Sequence, residues 1–165
     1  MGFVGQPVKK PDPLSFLHVV ASLHPAAGGP SRTVVQLADS LAGVSGMGVT
    51  LLSQGMPNEP VVRPKGIGVD WRLRESASRQ ALRLGLPVRA ELARIGRQSP
   101  PDLIHSHGLW LPVNHWAASA ARRFGVPLVI HPRGMLEPWA VQHKGAKKRL
   151  AMALFQRRDL ETAKV

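Results

Sequence analysis

The chain has no cysteine, few aromatic residues (5%) and only ten acidic residues among 165. The first absence excludes disulfides and thiolate metal sites. No apolar run approaches the ~20 residues that a bilayer-spanning helix needs. Lys9 and Lys10 lie near the N-terminus, but no apolar segment of secretory type precedes Leu14. The run Leu14–Leu23 is short, carries His18 and reads as a strand rather than a signal core. These absences together lead to an expected cytoplasmic location.

What is present is a strong basic bias. Lys and Arg number 22, for a net charge of +12. Nucleic acid, an anionic membrane surface and phosphate-bearing substrates would each suit such a charge, as would a basic surface with no partner at all. The scarcity of aromatics and the lack of a recognisable nucleic-acid-binding motif weigh against nucleic acid. With 44% hydrophobic and 19% charged residues, the composition is that of a globular protein, and the length suits one domain. Residues 1–13, rich in Pro, Gly and Lys, are expected to form a flexible leader, and 14–165 the domain.

Punctuation and periodicity divide the domain into alternating elements. Leu14–Ser22 reads as a buried strand, and Pro30–Val44 as a helix with Pro in its first turn and Gly43 and Gly46 behind it. Val49–Ser53 and Gly68–Leu73 read as strands, and Ser76–Arg97 as a helix kinked or broken at Pro87. Leu103–His107 is a strand, Leu111–Phe124 a helix ended by Gly125, Pro127–His131 a strand, and Pro138–Ala163 one long basic amphipathic helix. This order predicts an α/β fold, a Rossmann-like parallel sheet with helices on both faces.

Three loops at strand ends carry the chemistry. Gly28 and Gly29 follow the first strand and open a helix, where free N–H groups and the helix dipole favour a phosphate. A plain turn is the alternative, because HPAAGGP is neither GxGxxG nor a phosphate-binding Walker loop. His105 and His107 share one face of their strand, and His107 sits at its carboxyl end, where a histidine can bind a substrate hydroxyl. A pair two residues apart could also chelate a metal, but no third ligand is evident nearby, so no metal is expected. Arg133 and Gly134 follow the next strand, and Arg133 suits an anion, with a pairing to Glu137 as the structural alternative. All three loops are expected on one edge of the sheet. Lys144, Lys147, Lys148, Arg149, Arg157 and Arg158 interleave with Trp139, Leu150 and Leu154 on the last helix, a pattern suited either to an anionic membrane or to a solvated helix face.

The blocks FLHVVASLHPAAGGPSRTVVQLADSL, PDLIHSHGLWLPVNHWAASAARRFGVPLVIHPRGMLEPWAV and KKRLAMALFQRRDLETA resemble the N-terminal domain of the family 4, group 1, retaining GT-B glycosyltransferases of bacterial cell-surface polysaccharide synthesis. The resemblance spans about residues 14–165. It implies one half of a GT-B fold, a nucleotide-sugar donor, a saccharide or lipid-linked acceptor, and no cofactor. It places Gly28 and Gly29 against the donor phosphates, His107 by the donor sugar near the reacting carbon, and Arg133 on the cleft. The family's pair of glutamates separated by seven residues, which grips the donor, has no counterpart among these acids. The expectation is therefore a half that is inactive alone, completed by a donor-binding domain or a separate chain carrying one, with attachment at the inner face of the cell membrane. A non-catalytic nucleotide- or phosphate-binding module and a basic nucleic-acid-binding protein remain the alternatives.

Overall fold

The computed structural model describes residues 13–143 and 145–164. Apart from Pro13, the expected leader lies outside the described residues. Five strands form one parallel sheet: β1 (Leu14–Val20), β2 (Met47–Gly55), β3 (Val69–Glu75), β4 (Leu103–His107) and β5 (Leu128–His131), in the order β3-β2-β1-β4-β5. From β1 the chain first builds outward through β2 to β3, then returns to place β4 and β5 on the other side. The reversal falls between β1 and β4. In open α/β sheets the crevice beyond the carboxyl ends of two such strands is where ligands bind.

Alternation along the strands separates two cores. Leu17, Val19, Leu52, Ile104 and Leu128 point to one face, under Val88, Leu92 and Ile95 of α3 (Leu86–Gln98) and Val113, Ala117 and Ala121 of α4 (Pro112–Phe124). Val20, Val49 and Leu51 point to the other, under Val34, Val35 and Ala38 of α1 (Gly29–Ala42). Helices thus cover both faces, as expected, because strands buried on both sides must be apolar on both. The small residues of α4 let α3 and α4 approach closely. A Cβ on Gly96 of α3 would collide with the ring of Phe124. At the amino edge, the carboxylate of Asp102 accepts from the Ser15 N–H (2.7 Å) and hydroxyl (2.9 Å), tying β4 to β1.

Two expected helices are interrupted. The segment 76–97 divides into α2 (Arg79–Arg83) and α3, and the break is at Gly85 rather than Pro87. Gly85 has φ +67° and packs under Trp116, whereas Pro87 occupies the first turn of α3, where its missing N–H costs nothing. The C-terminal helix is not continuous either. It runs as α5 (Pro138–Gln142), α6 (Gly145–Ala151), a π-helical turn (Met152–Gln156) and α7 (Arg157–Thr162). The wider turn leaves Gln156 and Asp159 both buried. Gln156 accepts from the Trp110 backbone N–H at 2.8 Å, and Asp159 pairs with Arg122 (2.8 Å) and His115 (3.0 Å) of α4. These buried polar anchors, which helical periodicity does not report, fall at the end of the π-helical turn and just after it.

Candidate functional site

The rim at the reversal point is assembled from β1, β4 and β5 and the loops that leave them. After β1, a 3-10 turn (Pro25–Ala27) is capped by His24, whose Nδ1 accepts from the Ala26 N–H. Gly28 follows with φ 85° and ψ −155°, a combination that only glycine adopts without strain. α1 then begins with Pro30 in its first turn, no side-chain cap and no acidic residue to occupy its positive end. A Cβ on Gly28 or Gly29 would meet nothing within 4 Å, so the turn is open on its outer side. An open turn at a helix N-terminus without a carboxylate of its own favours an anion.

Arg133 links this turn to β4. Its Nη1 donates to Thr33 Oγ1 in α1 (3.1 Å) and its Nη2 donates to Nδ1 of His107 (3.0 Å). The residue adopts φ 55°, left-handed for a side chain that gains nothing from it locally. Trp110, in the loop after β4, does the same at φ 70°. Two such residues on one rim show backbone geometry imposed by the surrounding contacts. Among the described residues Arg133 forms no ion pair with Glu137, so the pairing weighed as its structural alternative is not the one made. Its partners are a hydroxyl and an imidazole, both neutral, and no acid among the described residues pairs with the guanidinium.

The structure therefore brings Gly28, Gly29, His107 and Arg133 to one edge, as the alternation of elements predicts. It adds residues that the sequence did not single out. His18 of β1 is the Cα partner of His105, and His131 of β5 is that of His107. Nδ1 of His18 lies 3.1 Å from Nε2 of His107, the two rings nearly parallel. His105 stands beside both, with ring centroids 5.1 Å from His18 and 4.0 Å from His107. Strand alternation already placed His105 and His107 together. His18 could be recognised only by knowing that β4 lies beside β1 and in what register.

The cluster is electrically neutral at physiological pH. Burial, followed by the neighbouring charges, pushes His107 down to about 2, and burial pushes His18 and His105 each to about 4. Burial also lowers His131 and Arg133. Side-chain nitrogens of His18, His105 and His107 lie within 4.8 Å of one another, so His18 supplies the third imidazole whose absence counted against a metal. Arg133 counts against one in its turn. A metal on Nε2 of His107 requires the proton on Nδ1, the atom that accepts from the guanidinium. The guanidinium would also place a positive charge beside the ion.

β4 is held to this geometry by polar contacts on its other side. Asn114 donates to the Ser106 hydroxyl and to the His107 carbonyl, both at 3.1 Å, and the Gly108 N–H donates to the His131 carbonyl at 2.8 Å. The C-terminal segment carries a second feature, an exposed apolar and basic surface. Trp139, Leu150 and Leu154 are 73%, 60% and 70% exposed, beside Lys148, Arg149 and Arg157. Lys148 donates to the Ala140 carbonyl and lies 5.9 Å from the Trp110 ring. No described helix is long and apolar enough to cross a membrane.

A five-stranded, doubly covered parallel sheet with a glycine turn, a guanidinium and an imidazole at its reversal point defines a Rossmann-like α/β domain. The model of the Glycosyl transferase 4-like domain family matches residues 28–165, nearly all of that domain. The chain belongs to this family, and it is a glycosyltransferase domain. No curated protein matches it.

Proposed function

We propose that this domain is the acceptor-side half of a retaining glycosyltransferase. The reaction moves a sugar from a nucleoside-diphosphate sugar to a saccharide or lipid-linked acceptor in cell-surface polysaccharide synthesis. The observation that carries the reading is the guanidinium of Arg133, without an acidic partner among the described residues and set between the open Gly28–Gly29 turn and His107. Such a rim suits a diphosphate. The glycine N–H groups and the α1 dipole approach its oxygens, and Arg133 offers the planar donors that bind them bidentately. His107 lies one hydrogen bond further in, where the sugar attached to that diphosphate would extend. Charge developing on the leaving diphosphate would be met by groups already oriented, which is the usual source of electrostatic catalysis. The donor's nucleotide would be held by a second domain, on a further segment or on a separate chain.

The exposed Trp139, Leu150 and Leu154, flanked by lysines and arginines, fit an anionic leaflet and support attachment at the inner face of the cell membrane. A lipid-linked acceptor would then be presented beside the rim.

The test is glycosyl transfer and nucleotide-sugar hydrolysis with a family C-terminal domain supplied in trans. Turnover that falls about a hundredfold in His107→Ala is expected, the scale for losing one oriented hydrogen-bonding group. Nucleotide binding without any turnover would favour the non-catalytic phosphate-binding module instead. Salt-sensitive affinity for random DNA would favour a nucleic-acid-binding protein.

A further inference from the structure

The geometry points to His18 as a positioning residue that, together with Arg133, holds His107 in a single tautomer, with the proton on Nε2 and a lone pair on Nδ1. Donors and acceptors alone fix this arrangement. The guanidinium of Arg133 has no lone pair to offer, so in its 3.0 Å contact with His107 it donates, and Nδ1 accepts. A neutral imidazole carries one proton, and it must then be on Nε2. Nε2 of His107 faces Nδ1 of His18 at 3.1 Å, so His107 donates and His18 accepts. The reverse direction would leave His107 accepting at both nitrogens, which only an imidazolate can do. The proton of His18 is thereby placed on its own Nε2, a buried atom with no partner among the described residues.

One arrangement of protons therefore satisfies the chain Arg133, His107, His18. It rests on neutral rings, which agrees with their burial. The consequence for the proposed donor site depends on the transferase reading. When an anion draws the guanidinium away, the atom exposed on His107 is a lone pair. His107 then accepts a hydrogen bond from a substrate hydroxyl and does not act as a general acid. His18 keeps the opposite edge of the ring occupied, so that the imidazole cannot turn when Arg133 leaves, and its tautomer can change only if the proton of His18 moves with it.

The test is long-range nitrogen–proton NMR of the histidine rings in the full chain at pH 7.5, which reads tautomers without substrate or turnover. The expected spectrum shows His107 and His18 both as Nε2–H, with the His107 ring proton visible because its exchange is slow. His107 as Nδ1–H, as imidazolium or as an average of tautomers would overturn the proposal. In Arg133→Met, whose side chain is partly exposed, His107 and His18 should move together toward mixed tautomers, although Arg133 touches only one of them. Movement of His107 alone would show that His18 takes no part. In His18→Phe the ring proton of His107 should disappear from the spectrum through exchange at least tenfold faster. Its retention would overturn the positioning role, and a thermal melt verifies that the variant is folded. Equimolar zinc should leave all ring nitrogens unshifted, and a shift at His18, His105 and His107 together would replace the proposal with a metal site. A chain with the expected spectrum but no transferase activity would retain the proton arrangement and lose only its proposed use.

Discussion

Nη1 of Arg133 sits 3.1 Å from the hydroxyl of Thr33, a residue 100 positions earlier in the chain. That contact joins the loop after β5 to the first turns of α1 and closes the rim around the glycine turn. Removing the guanidinium with Arg133→Ala should weaken binding of inorganic pyrophosphate about 10- to 100-fold, the range for losing a hydrogen bond to a charged group. Thr33→Val, which leaves the cation in place and removes its tether, should cost far less. Calorimetric titration of both variants measures the difference, and equal losses would mean that the tether rather than the charge holds the ligand.

Gly28 and Gly29 are predicted to respond differently to the same change. Neither would clash with an added methyl, since nothing lies within 4 Å. Gly28, at φ +85°, would be strained by about 1–3 kcal/mol. Gly29 is in the first turn of α1, and Ala there should be neutral or slightly stabilising. Urea unfolding should therefore separate Gly28→Ala from Gly29→Ala. If close approach of a phosphate is what both glycines serve, both variants lose pyrophosphate affinity even though only one loses stability.

Gly96→Ala is a packing test of the α3–α4 contact. Its methyl would fall on the ring of Phe124, far inside van der Waals contact. Overpacking of this kind costs about 1–3 kcal/mol. Phe124→Leu in the same background should recover part of the loss. A denaturation midpoint unchanged by Gly96→Ala would show that the helices separate without penalty.

The histidine cluster sets an acid limit on stability. In the unfolded chain each imidazole takes up a proton near 6.5, whereas in the fold His18 and His105 stay neutral to about 4 and His107 to about 2. Below 6.5 the unfolded state binds more protons, so stability is fully present above that pH and falls as pH falls through this window. Each histidine contributes a slope of about 1.4 kcal/mol per pH unit. Urea unfolding between pH 7.5 and 5 should give a proton uptake approaching three. Replacing His105 by Phe should remove one of them.

Glu91 should act lower on the scale. This α3 carboxylate is only 4% exposed and is bound by Arg94 (2.5 Å), Arg74 (2.9 Å) and Arg72 (3.0 Å). The hydrogen bond from Arg94, against the cost of burial and with help from Arg74 and Arg72, brings it down to about 2 from 4.5. Its contribution is present above about 4.5 and disappears as pH falls toward 2. Glu91→Gln should destabilise by about 2 kcal/mol at neutral pH, the scale of a charge-assisted hydrogen bond. It should also flatten the pH dependence below 4.5. A full pH dependence persisting in the variant would assign the acid loss to other carboxylates.

Local signals in the sequence determined the sequence of strands and helices. Pro30 and Gly43 bracket α1, Gly125 ends α4, and the alternation of His105 and His107 put both on one face. They work because capping, φ preference and side-chain periodicity act over a few residues and need no knowledge of the rest of the chain. Strand order followed from no local feature. Only the folded sheet put β4 beside β1, which turned His18 from an isolated polar residue in an apolar strand into the partner of His107. Only tertiary contacts, of Gln156 with the Trp110 N–H and of Asp159 with Arg122 and His115, bury the polar groups in and after the π-helical turn, where helical periodicity predicted one long helix. The proton arrangement of the cluster is likewise a tertiary property, because a ring nitrogen becomes donor or acceptor according to the atom that faces it.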